Sequence, residues 1–141
     1  MKKILIINAN YYYDLTKTMI TSSKNILKKE KFDLSLLKVS GIFEIPIAIR
    51  KNIHKFDAFI VLGCAIKGKT PHFDYICKST FDAIINLSIT YNKPIGNGII
   101  TALNLKQAKE RSGIIKSSKP NKGLEAARAI LSILKNGPKK I

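Results

Sequence analysis

Residues Ala58 to Ile66 read AFIVLGCAI, the longest nearly unbroken apolar run in the chain. It is far shorter than the roughly 20 residues that cross a bilayer, so it belongs inside a folded protein. It also lacks the apolar-polar alternation of a strand with one wet face. What remains is a strand covered on both faces, the situation of parallel sheets packed between helices. Such a sheet needs helical crossovers, and the flanking sequence supplies them.

Lys3 to Asn8 (KILIIN) predicts a short buried strand. Asp14 then opens a helix whose Leu15, Met19, Ile26 and Leu27 recur at helical spacing. Phe32 to Val39 alternates as a second strand, ended by Ser40-Gly41, and the next helix carries Pro46 near its first turn with Ile49 and Ile53 on one side. After the central run, a helix follows Pro71 with Ile76, Thr80, Ala83, Ile84 and Leu87 on its inner stripe. Pro94 to Thr101 is a fourth strand. Asn104 with Gln107 resembles a capping box, and Asn121 starts a last helix with Leu124, Ala127, Leu131 and Leu134 along one seam. Repeated strand-helix alternation implies right-handed crossovers and a parallel sheet. The expected fold is therefore α/β, a flavodoxin-like three-layer sandwich with a four-stranded parallel sheet, in a single domain over residues 1–141. Ligands of such sheets sit beyond the carboxyl ends of the strands, which directs attention to Ala9–Tyr11, Gly41–Glu44 and Cys64–His72.

A chain of 141 residues can bury one core without staples. The opening MKKILIINAN has a basic tip but only four apolar residues before Asn8, too few for a secretion signal. A cytoplasmic, membrane-free protein is expected. Cys64 and Cys77 form no CxxC pair, and with two histidines no metal cluster is spelled out. The formal net charge of +16 points, by itself, to nucleic acid. However, the lysines are scattered from Lys2 to Lys140 without an arginine-rich block or an aromatic-interleaved basic patch. A chain crowded with Ile, Lys and Asn is also what an AT-rich genome would encode. A basic nucleic-acid-binding module is thus the alternative, not the leading reading. Only three arginines survive, Arg50, Arg111 and Arg128, and a guanidinium retained where lysine is so favoured points to a site that uses its planar fork.

Gly63 to Thr70 (GCAIKGKT) matches the triphosphate-binding pattern G-x-x-x-x-G-K-T. The pattern needs its first glycine at the mouth of a loop, whereas Cys64-Ala65-Ile66 continues the apolar strand. Pro71 also disfavours helical backbone at Thr70, where a true motif is already helical. A nucleotide-binding switch is the least favoured reading, although Gly68-Lys69-Thr70 before a helix can still bind one phosphate through N–H groups and the Thr hydroxyl. His72 follows at a strand-to-helix junction, where an imidazole can pass protons either way. Asp74 is placed either to orient it or to cap the helix. His54, in an amphipathic helix, reads as structural.

Together IFEIP (42–46), LGCAIKGKTPHFDYIC (62–77), PIGNGIIT (94–101), QAKER (107–111) and NKGLEAARA (121–129) resemble the lumazine synthase family. The resemblance spans nearly the whole chain in order. It implies condensation of 5-amino-6-(D-ribitylamino)uracil with 3,4-dihydroxy-2-butanone 4-phosphate to 6,7-dimethyl-8-ribityllumazine, phosphate and water, the penultimate step of riboflavin biosynthesis. It also implies small-molecule substrates and no metal or organic cofactor. By the same resemblance His72 is the catalytic proton shuttle, and Lys69, Thr70, Arg111 and Lys122 bind the butanone phosphate. Tyr11, Ile42, Phe43, Glu44, Cys64, Ala65, Ile66 and Asn97 match positions that bind the pyrimidine and ribityl chain. Arg50 and Arg128 fall mid-helix, on the surface or an interface.

Departures from the family pattern are informative. Tyr11 stands where a phenylalanine is usual, and Asn97 where many members present a second aromatic. Asn10 replaces an arginine common before the first aromatic, and Lys69 a residue that is often glutamate or small. The loop between Arg111 and Asn121 is longer than in members that read GTKAGNKG. Such insertions go with pentamers that do not close into icosahedral shells, so a homopentamer or a pair of pentamers is expected. Asn97 and Arg111 would then face the neighbouring subunit's site.

Overall fold

The computed structural model describes residues 1–141. Its strands are β1 (Lys3–Ala9), β2 (Asp33–Val39), β3 (Ala58–Ile66) and β4 (Ile95–Ala102), all parallel in one sheet of order β2-β1-β3-β4. The apolar run is β3 itself. It lies between β1 and β4, with Ile60 opposite Ile6 on one side and Gly96 on the other, and it is buried from Ala58 through Cys64. The helices are α1 (Tyr13–Lys28), α2 (Ile45–Asn52), α3 (His72–Tyr91), α4 (Leu105–Ser112) and α5 (Lys122–Lys135). None is long and apolar enough to cross a membrane.

Successive strand residues point to opposite faces, so β1 and β3 each feed two cores. Ile4, Ile6, Ala58, Ile60 and Leu62 pack with Leu15, Met19 and Leu27 of α1, Ala108 of α4, and Ala126, Ala127 and Ile130 of α5. Leu5, Ile7, Phe59 and Val61 pack on the other side with Ile45, Ala48 and Ile49 of α2 and with Cys77 and Ile84 of α3. This is the expected three-layer sandwich.

Two helix starts follow their asparagines. Asn104 Oδ1 accepts from the Gln107 N–H at 2.9 Å, and Gln107 Oε1 accepts in return from Leu103 N–H at 2.8 Å. Asn121 Oδ1 accepts from Leu124 N–H at 2.9 Å, while its Nδ2 donates to Ser22 Oγ of α1 at 2.8 Å. In α5 the fully buried row is Gly123, Ala126, Ala127 and Ile130, with Leu131 and Leu134 only partly buried beside it. The apolar seam expected through the leucines is therefore rotated toward small residues. Close approach explains it: a Cβ on Gly123 would stand 2.5 Å from the Met19 carbonyl oxygen and 2.7 Å from Met19 Cβ.

Gly123→Ala tests that contact. Alanine favours a helix by about 1 kcal/mol, but overpacking costs about 1–3 kcal/mol, and the clash here is with backbone. Urea unfolding should show a lower midpoint, with the burial of α5 against α1 lost first; an unchanged or higher midpoint would mean that α1 yields freely.

Candidate active site

The carboxyl ends of all four strands lie on one edge, and the sheet order reverses between β1 and β3. That reversal opens a crevice where the connections leave to opposite faces. A cavity of about 410 Å³ occupies it. Its walls come from three connections that are remote in sequence.

The first wall is the 3-10 turn Asn10–Tyr12 after β1, which presents Tyr11 and Tyr12 edge to face with ring centroids 4.9 Å apart. The second is the 3-10 turn Ile42–Glu44 after β2. There Ile42 is buried, and Phe43 stands 58% exposed over the cavity. Glu44 Oε1 accepts from Gly41 N–H at 3.0 Å and so closes this turn. The third wall is the end of β3, Cys64-Ala65-Ile66, continued by Gly68, Thr70 and His72. Thr70 Oγ1 accepts from the His72 N–H at 3.4 Å at the start of α3. Aromatic faces, a strand end with backbone groups and an imidazole at the rim suit a flat heterocycle.

Gly63 is inside β3, opposite Ile99. A Cβ there would come 2.7 Å from Ile42 Cγ2 and 3.1 Å from Ala9 Cβ, so this glycine lets the second wall pack on the strand. The triphosphate-binding pattern therefore has no loop at its first glycine, which removes the nucleotide-binding reading.

A second cavity, about 500 Å³, lies at the end of β4 between α4, the following loop and the start of α5. Arg111 and Lys122 line it with Lys119, Gln107, Ser117 and Ser118, against one carboxylate, Glu110. Lys122 pairs with Glu125 at 3.3 Å. This basic, hydroxyl-rich hollow at a helix start suits an anion.

The structure thus divides the expected residues. Tyr11, Ile42, Phe43, Cys64, Ala65, Ile66, Thr70 and His72 share the first cavity, and Arg111 and Lys122 share the second. Glu44 and Lys69 border the first without lining it. Asn97 lies elsewhere, exposed on the edge strand opposite Val61, and its Oδ1 accepts from Ile99 N–H at 3.0 Å. The hydrogen bond made in place of an aromatic is thus to its own strand. Asp74 makes no hydrogen bond with the His72 ring; its charge acts instead on Cys77. Arg50 lies 5.0 Å over the Tyr91 ring, with His54 edge-on to the same ring, so both have structural partners. Tyr12, Phe73 and Ile76 also line the cleft, unforeseen from sequence. Tyr12 was one of three adjacent tyrosines with no pattern to single it out.

Burial, reinforced by the neighbouring Cys77, pushes the Cys64 thiol up to about 12, and burial with the Asp74 carboxylate raises Cys77. Tyr12 is raised by burial, then by Tyr11 and Cys64. Both cysteines are thus neutral thiols near pH 7, packing groups and not nucleophiles. The folded protein keeps a proton on Cys64 that the unfolded chain releases near 9.0. That contribution to stability is complete below this value and is lost as pH rises through about 12. Accordingly, the unfolding midpoint of the native protein should fall more steeply across that range than that of Cys64→Ala. Iodoacetamide at pH 8 should label Cys64 only after denaturation; rapid labelling of the folded protein would contradict its burial.

The sequence profile of the family described as 6,7-dimethyl-8-ribityllumazine synthase matches residues 1–136. The 6,7-dimethyl-8-ribityllumazine synthase of Campylobacter curvus is 38% identical over 138 residues, covering 94% of this chain and 86% of that protein. Its counterpart in Campylobacter jejuni subsp. doylei is 39% identical over 137 residues, with 94% and 87% covered. That of Campylobacter fetus subsp. fetus is 36% identical over 140 residues, with 94% and 86% covered. A profile match over almost every residue, with relatives similar along nearly their whole length, makes this chain a member of the 6,7-dimethyl-8-ribityllumazine synthase family.

Proposed function

We propose that this chain is a transferase that condenses 5-amino-6-(D-ribitylamino)uracil with 3,4-dihydroxy-2-butanone 4-phosphate to 6,7-dimethyl-8-ribityllumazine, phosphate and water. This is the penultimate step of riboflavin biosynthesis. The observation that carries the reading is a heterocycle-sized cleft beneath Tyr11 and Phe43 with His72 at its rim, in a chain of this family.

The pyrimidine amine attacks the ketone carbonyl, and the carbinolamine loses water to an imine. Elimination then sends the electron pair of the breaking C–O bond out with phosphate. That elimination takes the neighbouring C–H proton and leaves an enol, which tautomerises to a new ketone; the ribityl nitrogen closes the ring on this ketone, and a second dehydration completes it. Each step moves a proton, and His72 carries it between nitrogen, oxygen and solvent. Tyr11 and Phe43 hold the ring by its faces, backbone groups of Cys64, Ala65 and Ile66 bond its edge, and Ile42 and Glu44 flank the ribityl chain. Lys69 and Thr70 steady the phosphoester, and Arg111 with Lys122 receives the leaving phosphate. The scheme needs no metal or organic cofactor.

His72 and Arg111 line different cavities of one chain. We therefore place the complete site between protomers of a homopentamer, or of paired pentamers, with Asn97 and Arg111 of one facing His72 of the next. Support comes from Asn97 on an open sheet edge and from Ile89 and Ile133, 72% and 65% exposed around a hollow at the start of the same strand. The chain acts as one domain over 1–141, in the cytoplasm, on small molecules and not on nucleic acid.

Purified protein given both precursors should develop the absorbance and fluorescence of the lumazine. Arg111→Ala should lower kcat/KM about 10²- to 10³-fold, the loss of a charge-assisted, two-pronged contact. His72→Ala should lower kcat about ten- to a hundredfold, because water substitutes in part as proton carrier. No product, or full activity in Arg111→Ala, would sink the assignment. Mass photometry should find multiples of five protomers of 15.7 kDa, and a monomer would overturn the shared site.

A further inference from the structure

Asn8 is fully buried at a position where the sheet asks for a hydrocarbon. It follows Ile4 and Ile6 on the same face of β1, and its register neighbour in β3 is Leu62. Its Nδ2 donates to Asn10 Oδ1 at 2.7 Å and to Thr16 Oγ1 at 3.0 Å, while its Oδ1, also buried, has no partner. A buried acceptor left unpaired is destabilising, so stability alone does not account for an amide here.

The two bonds of Nδ2 bracket the turn that carries the aromatic rim. Asn10 immediately precedes Tyr11, and Thr16 lies in the first turns of α1, its Oγ1 donating to Tyr13 carbonyl at 3.4 Å. Tyr11 is 78% exposed and touches Tyr12 edge to face, so the core does not hold its ring. Its position depends on the backbone of residues 10 to 13. We infer that Asn8 is a positioning residue, tying the end of β1 to both sides of this turn and so setting the Tyr11–Tyr12 pair at the mouth of the cleft. The consequence for catalysis rests on the function proposed above, in which Tyr11 holds the pyrimidine.

Asn8→Leu keeps the branched shape of the amide tip. It removes the orphaned acceptor and creates no new buried orphan, because Thr16 still bonds Tyr13 and half-buried Asn10 can reach water. Thr16→Val removes the acceptor on the other side with little change of shape. Hydrogen-deuterium exchange of the unliganded variants should quicken at residues 10 to 13 without a fall in the thermal midpoint of Asn8→Leu, an outcome that a merely structural role would not give. KM for the pyrimidine should rise about three- to tenfold, the scale of a misplaced aromatic contact. kcat and KM for the butanone phosphate should be unchanged, and the double variant should be no worse than the stronger single one. Unaltered exchange at residues 10 to 13 in both folded variants overturns the positioning role. Quickened exchange with an unaltered pyrimidine KM overturns its part in the reaction. If the native protein makes no lumazine, the function falls, and exchange still decides whether Asn8 holds the pair.

Discussion

Coverage of β3 on both faces is the condition from which the rest of the architecture follows. A strand buried from Ala58 to Cys64 needs helices above and below, and helical crossovers make its neighbours parallel. Parallel strands deliver all their carboxyl ends to one edge. Residues as far apart in sequence as Tyr11, Ile42, Cys64 and His72 meet in one cleft for that reason and no other. The order β2-β1-β3-β4 adds the crevice, because α1 leaves β1 toward one layer while α2 and α3 cover the other.

Chemistry at that edge is divided by polarity. The cleft between β1 and β3 is aromatic and aliphatic, with the Cys64 thiol held neutral by burial and one imidazole at the rim. The hollow at the end of β4 gathers guanidinium, ammonium and hydroxyl groups. A flat, uncharged ring and a dianionic phosphoester have opposite solvation needs, and the two cavities differ in the same sense. The Asn8 network adds a polar tie in an apolar layer to a turn whose Tyr11 stands outside the core.

How much of this was legible varied with the range of the forces involved. The strands, the caps at Asn104 and Asn121, and the proline near the start of α2 are local features. The cap bonds span three residues and the strands show as short apolar runs, so sequence spacing reports both directly. The G-x-x-x-x-G-K-T match was separable from a real phosphate loop by the same local logic, since Gly63 continues an apolar strand. Tyr12 and the buried row of α5 were not legible. Which side of an amphipathic helix lies flush depends on the crossing geometry of α5 and α1, and Gly123 has no meaning until Met19 stands opposite it. Asn8 was hidden similarly, inside a strand that reads as plain core.

Sequence alone determined the class of fold, the edge at which to look and, through matched motifs, the family. These depend on periodicity, local backbone preference and short residue strings, all of which are written along one dimension. Tertiary structure alone decided that His72 and Arg111 line separate cavities, that Asn97 spends its oxygen on its own strand, and that a buried amide brackets the aromatic turn. Those outcomes depend on distances between side chains set by sheet order and helix crossing, which no spacing in the chain encodes.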